Sequence, residues 1–263
     1  MWNARTPGTG LAMWIWSLNT CLPRVTCAFV TIILPKLLLC TLLNTSSMAP
    51  DSPVKTLFAT ERLVFRAVES TDDDAAFFHK HIMSDPVYQL CYNRVLPKPA
   101  TLKNAEDYIK SIQETMLGVM ICLAPSVSPL TATSEGSQLI AKPADAKPIP
   151  IGILCVSSDN MRDMHQHRSA TMSIALAEPF RGMGYGGEAI NWALDWAFRA
   201  ANLHRIGIVA FSYNVDALKL YRKLGFVDEG CDRQALYRNR AWYDAVRLSM
   251  LENEWEKLRG IEH

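Results

Sequence analysis

The chain has 263 residues, 49% of them hydrophobic, with 27 basic and 26 acidic side chains and a net charge of +1. That is a globular composition, sufficient for one large domain or two small ones, and it excludes disordered, collagenous and polytopic membrane classes. The charge balance leaves no basic excess for general nucleic-acid binding. Seven cysteines, an odd number with no C-x-x-C pair, make neither a disulfide framework nor a zinc site, and point to reduced thiols in an intracellular protein.

Residues 1–47 differ from the rest. They hold Arg5, Arg24 and Lys36 and no acid, so the remainder carries 24 bases against 26 acids. Val25 to Leu43 is a mostly apolar run of nineteen residues, near the length that crosses a bilayer, although Lys36 near its middle is costly there. Three readings stand: a membrane anchor through 25–43, a targeting signal, or a stretch translated upstream of a start at Met48. A cytoplasmic location is expected, or a membrane-anchored one where the segment is retained.

From residue 57 the chain reads as one domain, to about residue 255. Leu63, Phe65 and Ala67 alternate with Val64 and Arg66, which predicts a first strand. Ser70 to Asp74 supplies a helix start with acids in the first turn. Phe77, Phe78 and Tyr88 follow on or near the first helices, where core packing is the simplest reading. Residues 101–115 predict an amphipathic helix capped by Thr101 or Asn104. Apolar runs at 117–124 and 149–157 are of strand length, and the Pro-, Ser- and Thr-rich segment 124–148 between them reads as a long mobile hairpin loop. Met172, Ile174 and Leu176 alternate with Thr171, Ser173 and Ala175, giving a strand with a bulky and a small face. A glycine turn, RGMGYGG at 181–187, then leads into a helix with Ile190, Leu194, Ala197, Phe198 and Ala201 on one face. Residues 204–211 form a buried strand. Asn214 starts a short helix that Gly225 closes, and 231–238 and 241–250 make a hairpin about Asn239-Arg240. The sum is a mixed α/β sheet.

Strand, glycine turn and helix together make an anion site: glycines admit close approach, and the first-turn N–H groups have no helical partner. Gly182, Gly184 and Gly187 match G-x-G-x-x-G, the dinucleotide fingerprint. That reading fails, because no acid lies between Asp195 and Asp216 to hold a ribose, and only 76 residues follow Gly187. Arg181-Gly182-Met183-Gly184-Tyr185-Gly186 instead resembles the Arg/Gln-x-x-Gly-x-Gly/Ala signature of the GNAT N-acetyltransferases. Asn214-x-x-Ala217-x-x-Leu220-Tyr221-x-x-Leu224-Gly225-Phe226 resembles their second signature, and the likeness runs from about residue 61 to 253. ERLVFR, NLHRI and WYDAVRLSMLENEW are similar to the ribosomal-protein and spermidine acetyltransferase branch.

The resemblance implies a fold whose fourth and fifth strands splay apart. The pantetheine arm of acetyl-CoA would lie in the gap, paired with main-chain groups of Ile174, Ala175 and Leu176. The pyrophosphate would rest on the amides of Gly182, Met183, Gly184, Tyr185, Gly186 and Gly187, beside Arg181. Asn214 would face the cofactor arm, although its role as a helix cap explains it equally well. Tyr221 would stand beside the sulfur as general acid, since a tyrosine of pKa about 10 keeps its proton at pH 7 and can give it to a departing thiolate. No metal is implied. His79-x-His81 and His165-x-His167 lack a third ligand nearby and read as surface histidines.

The expected activity is acetyl-CoA-dependent transfer to a primary amine of a small molecule or a protein, directly within a ternary complex. The rival reading is a non-catalytic acyl-CoA-binding module, tethered through the N-terminal segment. No general base announces itself: Glu178, Glu69 or a chain of waters would have to serve. A polyamine acceptor fits poorly with Arg233, Arg238 and Arg240 in the last hairpin, so an acidic or neutral amine is expected.

Overall fold

A computed structural model describes residues 57–91, 96–125, 147–158 and 165–261. The N-terminal segment 1–47, with its apolar run, and most of the 124–148 loop lie outside the described residues. Among those described, no helix is long and apolar enough to cross a membrane.

The strands are β1 (Leu63–Ala67), β2 (Leu117–Leu123), β3 (Ile149–Ser158), β4 (Ser169–Leu176), β5 (Arg205–Phe211), β6 (Val227–Arg238) and β7 (Ala241–Leu251). They form one sheet in the order β1-β2-β3-β4-β5-β7-β6, antiparallel throughout except for the parallel pair β4–β5. The helices are α1 (Asp72–Phe77), α2 (Pro86–Cys91), α3 (Leu102–Gln113), α4 (Tyr185–Asp195), α5 (Val215–Lys223) and α6 (Glu252–Arg259). α1 and α4 each run on into a wider π turn, Phe78–Met83 and Trp196–Ala200.

Alternation along the strands sorts the core into two layers. Val119, Ile121, Met172 and Ile208 pack with α4, α5 and α6 on one face, while Met120, Cys122, Ile153 and Cys155 pack with α1 and α3 on the other. Trp192 of α4 stacks on Phe65 of β1 with centroids 3.7 Å apart, and Phe77, Phe78 and Tyr88 are core residues as expected. Of the two caps considered for α3, both act: Thr101 takes the N–H of Asn104 at 3.2 Å, and Asn104 takes the N–H of Thr101 at 3.0 Å.

The acid-rich start of α1 does more than complement a helix dipole. Asp74 is buried and holds Arg66 of β1 through both carboxylate oxygens, at 2.5 and 2.9 Å, while also accepting the Glu69 N–H at 2.9 Å. Burial raises the Asp74 carboxyl pKa, but these hydrogen bonds outweigh it and leave the group below its ordinary value. The last hairpin turns on Asn239 and Arg240 with φ of 46° and 62°, the mirror-image turn that suits strand twist. Its first strand begins earlier than the alternation suggested, at Val227.

Candidate active site

The site begins where two strands stop pairing. β4 and β5 are joined only at Ser169↔Arg205, Ala170↔Ile206 and Thr171↔Gly207. Beyond Thr171 they diverge, and the splay leaves a cleft of about 370 Å³, a normal size for a small-molecule site. Met172 to Leu176 line one side, Ile208 to Phe211 the other, and Asn214, Ala217, Leu220 and Tyr221 of α5 close one end.

Register decides which main-chain groups face this gap. The Ala177 N–H donates to the Ile151 carbonyl at 2.9 Å and the Ser157 hydroxyl reaches the Thr171 carbonyl at 3.5 Å, so odd-numbered residues of β4 turn their main chain to β3. Even-numbered residues turn the other way, as the Arg168 carbonyl does in accepting from the Arg205 N–H at 3.2 Å. Ile174 and Leu176 therefore face the cleft. Ala175 does not. Its main chain belongs to the β3 ladder, where it pairs with Ile153, and this corrects the expectation that three consecutive residues would offer hydrogen bonds.

The glycine turn is shorter than its sequence suggests. Glu178–Phe180 forms a 3-10 turn, Gly182 and Gly184 adopt φ of 75° and 84°, and α4 starts at Tyr185 with Gly184 at its cap. Tyr185, Gly186 and Gly187 are thus the first helical residues, and their N–H groups are the ones α-helix geometry leaves without an intrahelical partner. The Tyr185 ring is buried in the core. Gly186 and Gly187 let α5 approach: a Cβ on either would stand 3.4–3.7 Å from Leu220. Met183 is largely exposed.

Arg181 lines the cleft, but protein groups hold its guanidinium. Its Nε donates to the Leu176 carbonyl at 2.9 Å and its guanidinium pairs with Asp85, so it ties the end of β4 to the start of α2. Asn214 caps α5, its Oδ1 taking the Ala217 N–H at 3.4 Å, and also lines the cleft. Tyr221 is buried about two helical turns further along, its ring 6.1 Å from that of Phe226, and it too lines the cleft. Glu178 and Glu69 are exposed and neither borders the cleft. Among the described residues, no three His, Cys, Asp or Glu side chains gather as a metal site.

Three cleft residues come from α2: Tyr88, which the sequence singles out near the first helices, and Val87 and Cys91, which it does not. Asp85-Pro86 is a legible signal for α2, because Asp85 takes the Val87 N–H at 2.9 Å and proline suits a first helical position. Burial pushes the Cys91 thiol pKa up, partly opposed by Arg238. A second cavity, of about 470 Å³, is lined by Gln89, Leu90, Leu96, Pro97, Tyr213 and residues 235–239 of the hairpin. The Tyr213 hydroxyl donates to the Leu90 carbonyl. Their neighbours Asn214 and Cys91 line the first cleft, so this bond stands at the boundary of the two spaces. Arg238 lies 4.8 Å over the Tyr213 ring, and among the described residues no carboxylate lines either cavity.

A family model described as an acetyltransferase (GNAT) domain matches residues 62–227. The chain belongs to the GNAT acetyltransferase family. Among curated proteins, this GNAT chain is similar to the spermidine N(1)-acetyltransferase of Vibrio cholerae, 35% identical over 89 residues (34% of this chain, 51% of the relative). The Escherichia coli spermidine N(1)-acetyltransferase is 29% identical over 91 residues, 35% of this chain and 49% of the relative. The chain thus spans about half the length of the curated relatives it matches. Two solved structures share the GNAT fold. One is the Vibrio cholerae spermidine N-acetyltransferase in complex with CoA and spermine, with a TM-score of 0.56 and 23% identity over 74% of this chain and 99% of that one. The other is a GNAT acetyltransferase from Bacillus anthracis, with a TM-score of 0.56 and 16% identity over 74% and 98%.

Proposed function

We propose that this protein is an acetyl-CoA-dependent N-acetyltransferase that moves an acetyl group to a primary amine by direct transfer. The observation that carries the reading is the splayed β4–β5 cleft, bordered by the glycine turn and by Tyr221. Its main-chain donors and acceptors suit an extended pantetheine arm. Ile174 offers an N–H and a carbonyl, and Leu176 offers its N–H, the Leu176 carbonyl being held by Arg181. The amides of 184–187 suit a pyrophosphate.

The chemistry follows from what these groups can do. Cleft walls hold the amine against the thioester and supply proximity. The amine nitrogen bonds to the acetyl carbon as the carbon–sulfur bond breaks, and the electron pair leaves with sulfur. Tyr221 gives its phenolic proton to that sulfur and recovers one from water. The extra proton on nitrogen also passes to water, since among the described residues no carboxylate lines either cavity. Where the described lining supplies no carboxylate base, an acceptor that is neutral at working pH is favoured. An α-amino group of pKa about 8 meets this better than an alkyl amine of pKa about 10.4.

The acceptor is read as a neutral or anionic amine rather than a polyamine. Arg238 beside the second cavity, which no carboxylate lines among the described residues, repels a polycation and accommodates a carboxylate or phosphate. The test is release of CoA thiol from acetyl-CoA by a chain starting at Met48, across polyamines, amino acids, amino sugars and short peptides. Amine-dependent release is expected, with kcat/KM for amino acids or peptides above that for spermidine. Spermidine turnover far above all other amines would overturn the acceptor reading, and absence of CoA binding would overturn the whole assignment.

A further inference from the structure

The glycine turn is held in shape by a residue far from it in sequence. Arg62, at the entrance to β1, reaches Glu188 in the first turn of α4 through Nε and Nη2, both 2.7 Å from Oε2. Its main-chain N–H reaches Oε1 at 3.1 Å, and the Thr60 hydroxyl donates to the same oxygen at 2.5 Å. The remaining arm of the fork, Nη1, donates to the Met183 carbonyl at 3.1 Å. The guanidinium carbon lies 4.7 Å over the Tyr185 ring. One side chain thus binds the carbonyl between the two positive-φ glycines, the ring of the first helical residue and the carboxylate one turn later.

Two consequences follow from elementary geometry. A trans peptide points its carbonyl and its N–H in opposite directions. Fixing the Met183 carbonyl toward Arg62 therefore aims the Gly184 N–H away from Arg62. Residues flanked by glycines with positive φ are the least self-restrained part of a chain, and a main-chain anion site gains affinity when they are ordered beforehand. The second consequence is electrostatic. An unpaired Glu188 at a helix N-terminus would repel a phosphate, whereas Glu188 bound to a guanidinium adds no net negative charge.

We infer that Arg62 and Glu188 are positioning residues that preset the glycine turn for the pyrophosphate of the acyl-CoA substrate. This rests on the proposed function and adds to it two residues outside both sequence signatures. The role separates from ordinary stabilisation by comparing acetyl-CoA with S-acetylpantetheine, a donor with the same thioester and arm but no pyrophosphate.

Arg62→Met keeps an apolar stem over Tyr185 and removes the donors. It should raise the KM for acetyl-CoA about tenfold, leave kcat within about twofold, and leave the KM for S-acetylpantetheine unchanged. Glu188→Gln should act in the same direction, by about threefold, and the double variant should be no worse than Arg62→Met because the two act as one unit. Equal losses on both donors, or an unchanged ratio of the two KM values in both single variants, would overturn the inference. A wild-type chain that turns over neither donor would instead refute the proposed function itself.

Discussion

The cleft and the second cavity, the two halves of the proposed site, are built on different principles. The half assigned to acetyl-CoA is made of main chain: the edge of β4 that parts from β5 beyond Thr171, and the amides that open α4. The half assigned to the acceptor is made of side chains from α2 and the irregular β6–β7 hairpin, where Leu90, Tyr213, Leu236 and Arg238 meet. Main-chain recognition constrains the sequence to glycines at fixed spacing, and so it leaves a motif. Side-chain recognition leaves only composition, and composition can change without disturbing the fold.

Substitutions can break this contrast in either half, and the largest effect belongs to the residue proposed as general acid in the first. Tyr221→Phe should lower kcat by about 10²–10³, the usual worth of a general acid, with the KM for acetyl-CoA and the melting temperature nearly unchanged. Steady-state kinetics beside a thermal melt would check both. In the main-chain half, Gly184→Val places a β-branched residue at φ 84° and a Cβ 3.3 Å from Arg62. Strain of about 2 kcal/mol should then appear as a KM for acetyl-CoA raised at least tenfold, with acceptor preference retained. In the side-chain half the pattern should reverse. Arg238→Glu should shift the ratio of kcat/KM for cationic over anionic amines upward by about tenfold while sparing the KM for acetyl-CoA.

The smallest effect concerns acid. For Glu188, burial raises the carboxyl pKa, but hydrogen bonds from Thr60 and Arg62 and the guanidinium charge bring it below its ordinary value. Asp74 behaves alike. A folded-state pKa below the unfolded one means that the unfolded chain takes up the proton first. The stabilisation is therefore complete above the unfolded value, near pH 4–4.5, and is lost as pH falls through the folded value. Glu188→Gln should accordingly show a shallower fall of melting temperature than the wild type as pH drops below about 4.5. An identical slope in both would remove the pair from the account.

Much of this was legible because local physics repeats it. Glycines at 182 and 184, an Asn at 214, a Gly at 225 and two opposite alternations along β4 each dictate backbone locally, and each is realised. The helix α6 escaped notice because its apolar content is modest and rests on Trp255, whose indole binds Asp195 at 2.9 Å. The Arg62–Glu188 link joins residues 126 apart, and no local pattern carries such a contact. The orientation of Ala175 is of the same kind. Alternation tells that neighbours differ, but only the register with β3 tells which of them faces the cleft.

The central claim is that the gap between β4 and β5 holds the acyl-CoA arm on main-chain groups. Amide-resolved hydrogen exchange with and without CoA tests it directly. Slowed exchange is expected at Ile174, Leu176 and 184–187, with Ala175 unchanged because its N–H is already committed to β3. Uniform exchange across these amides, with CoA bound and protection confined to another surface, would contradict it.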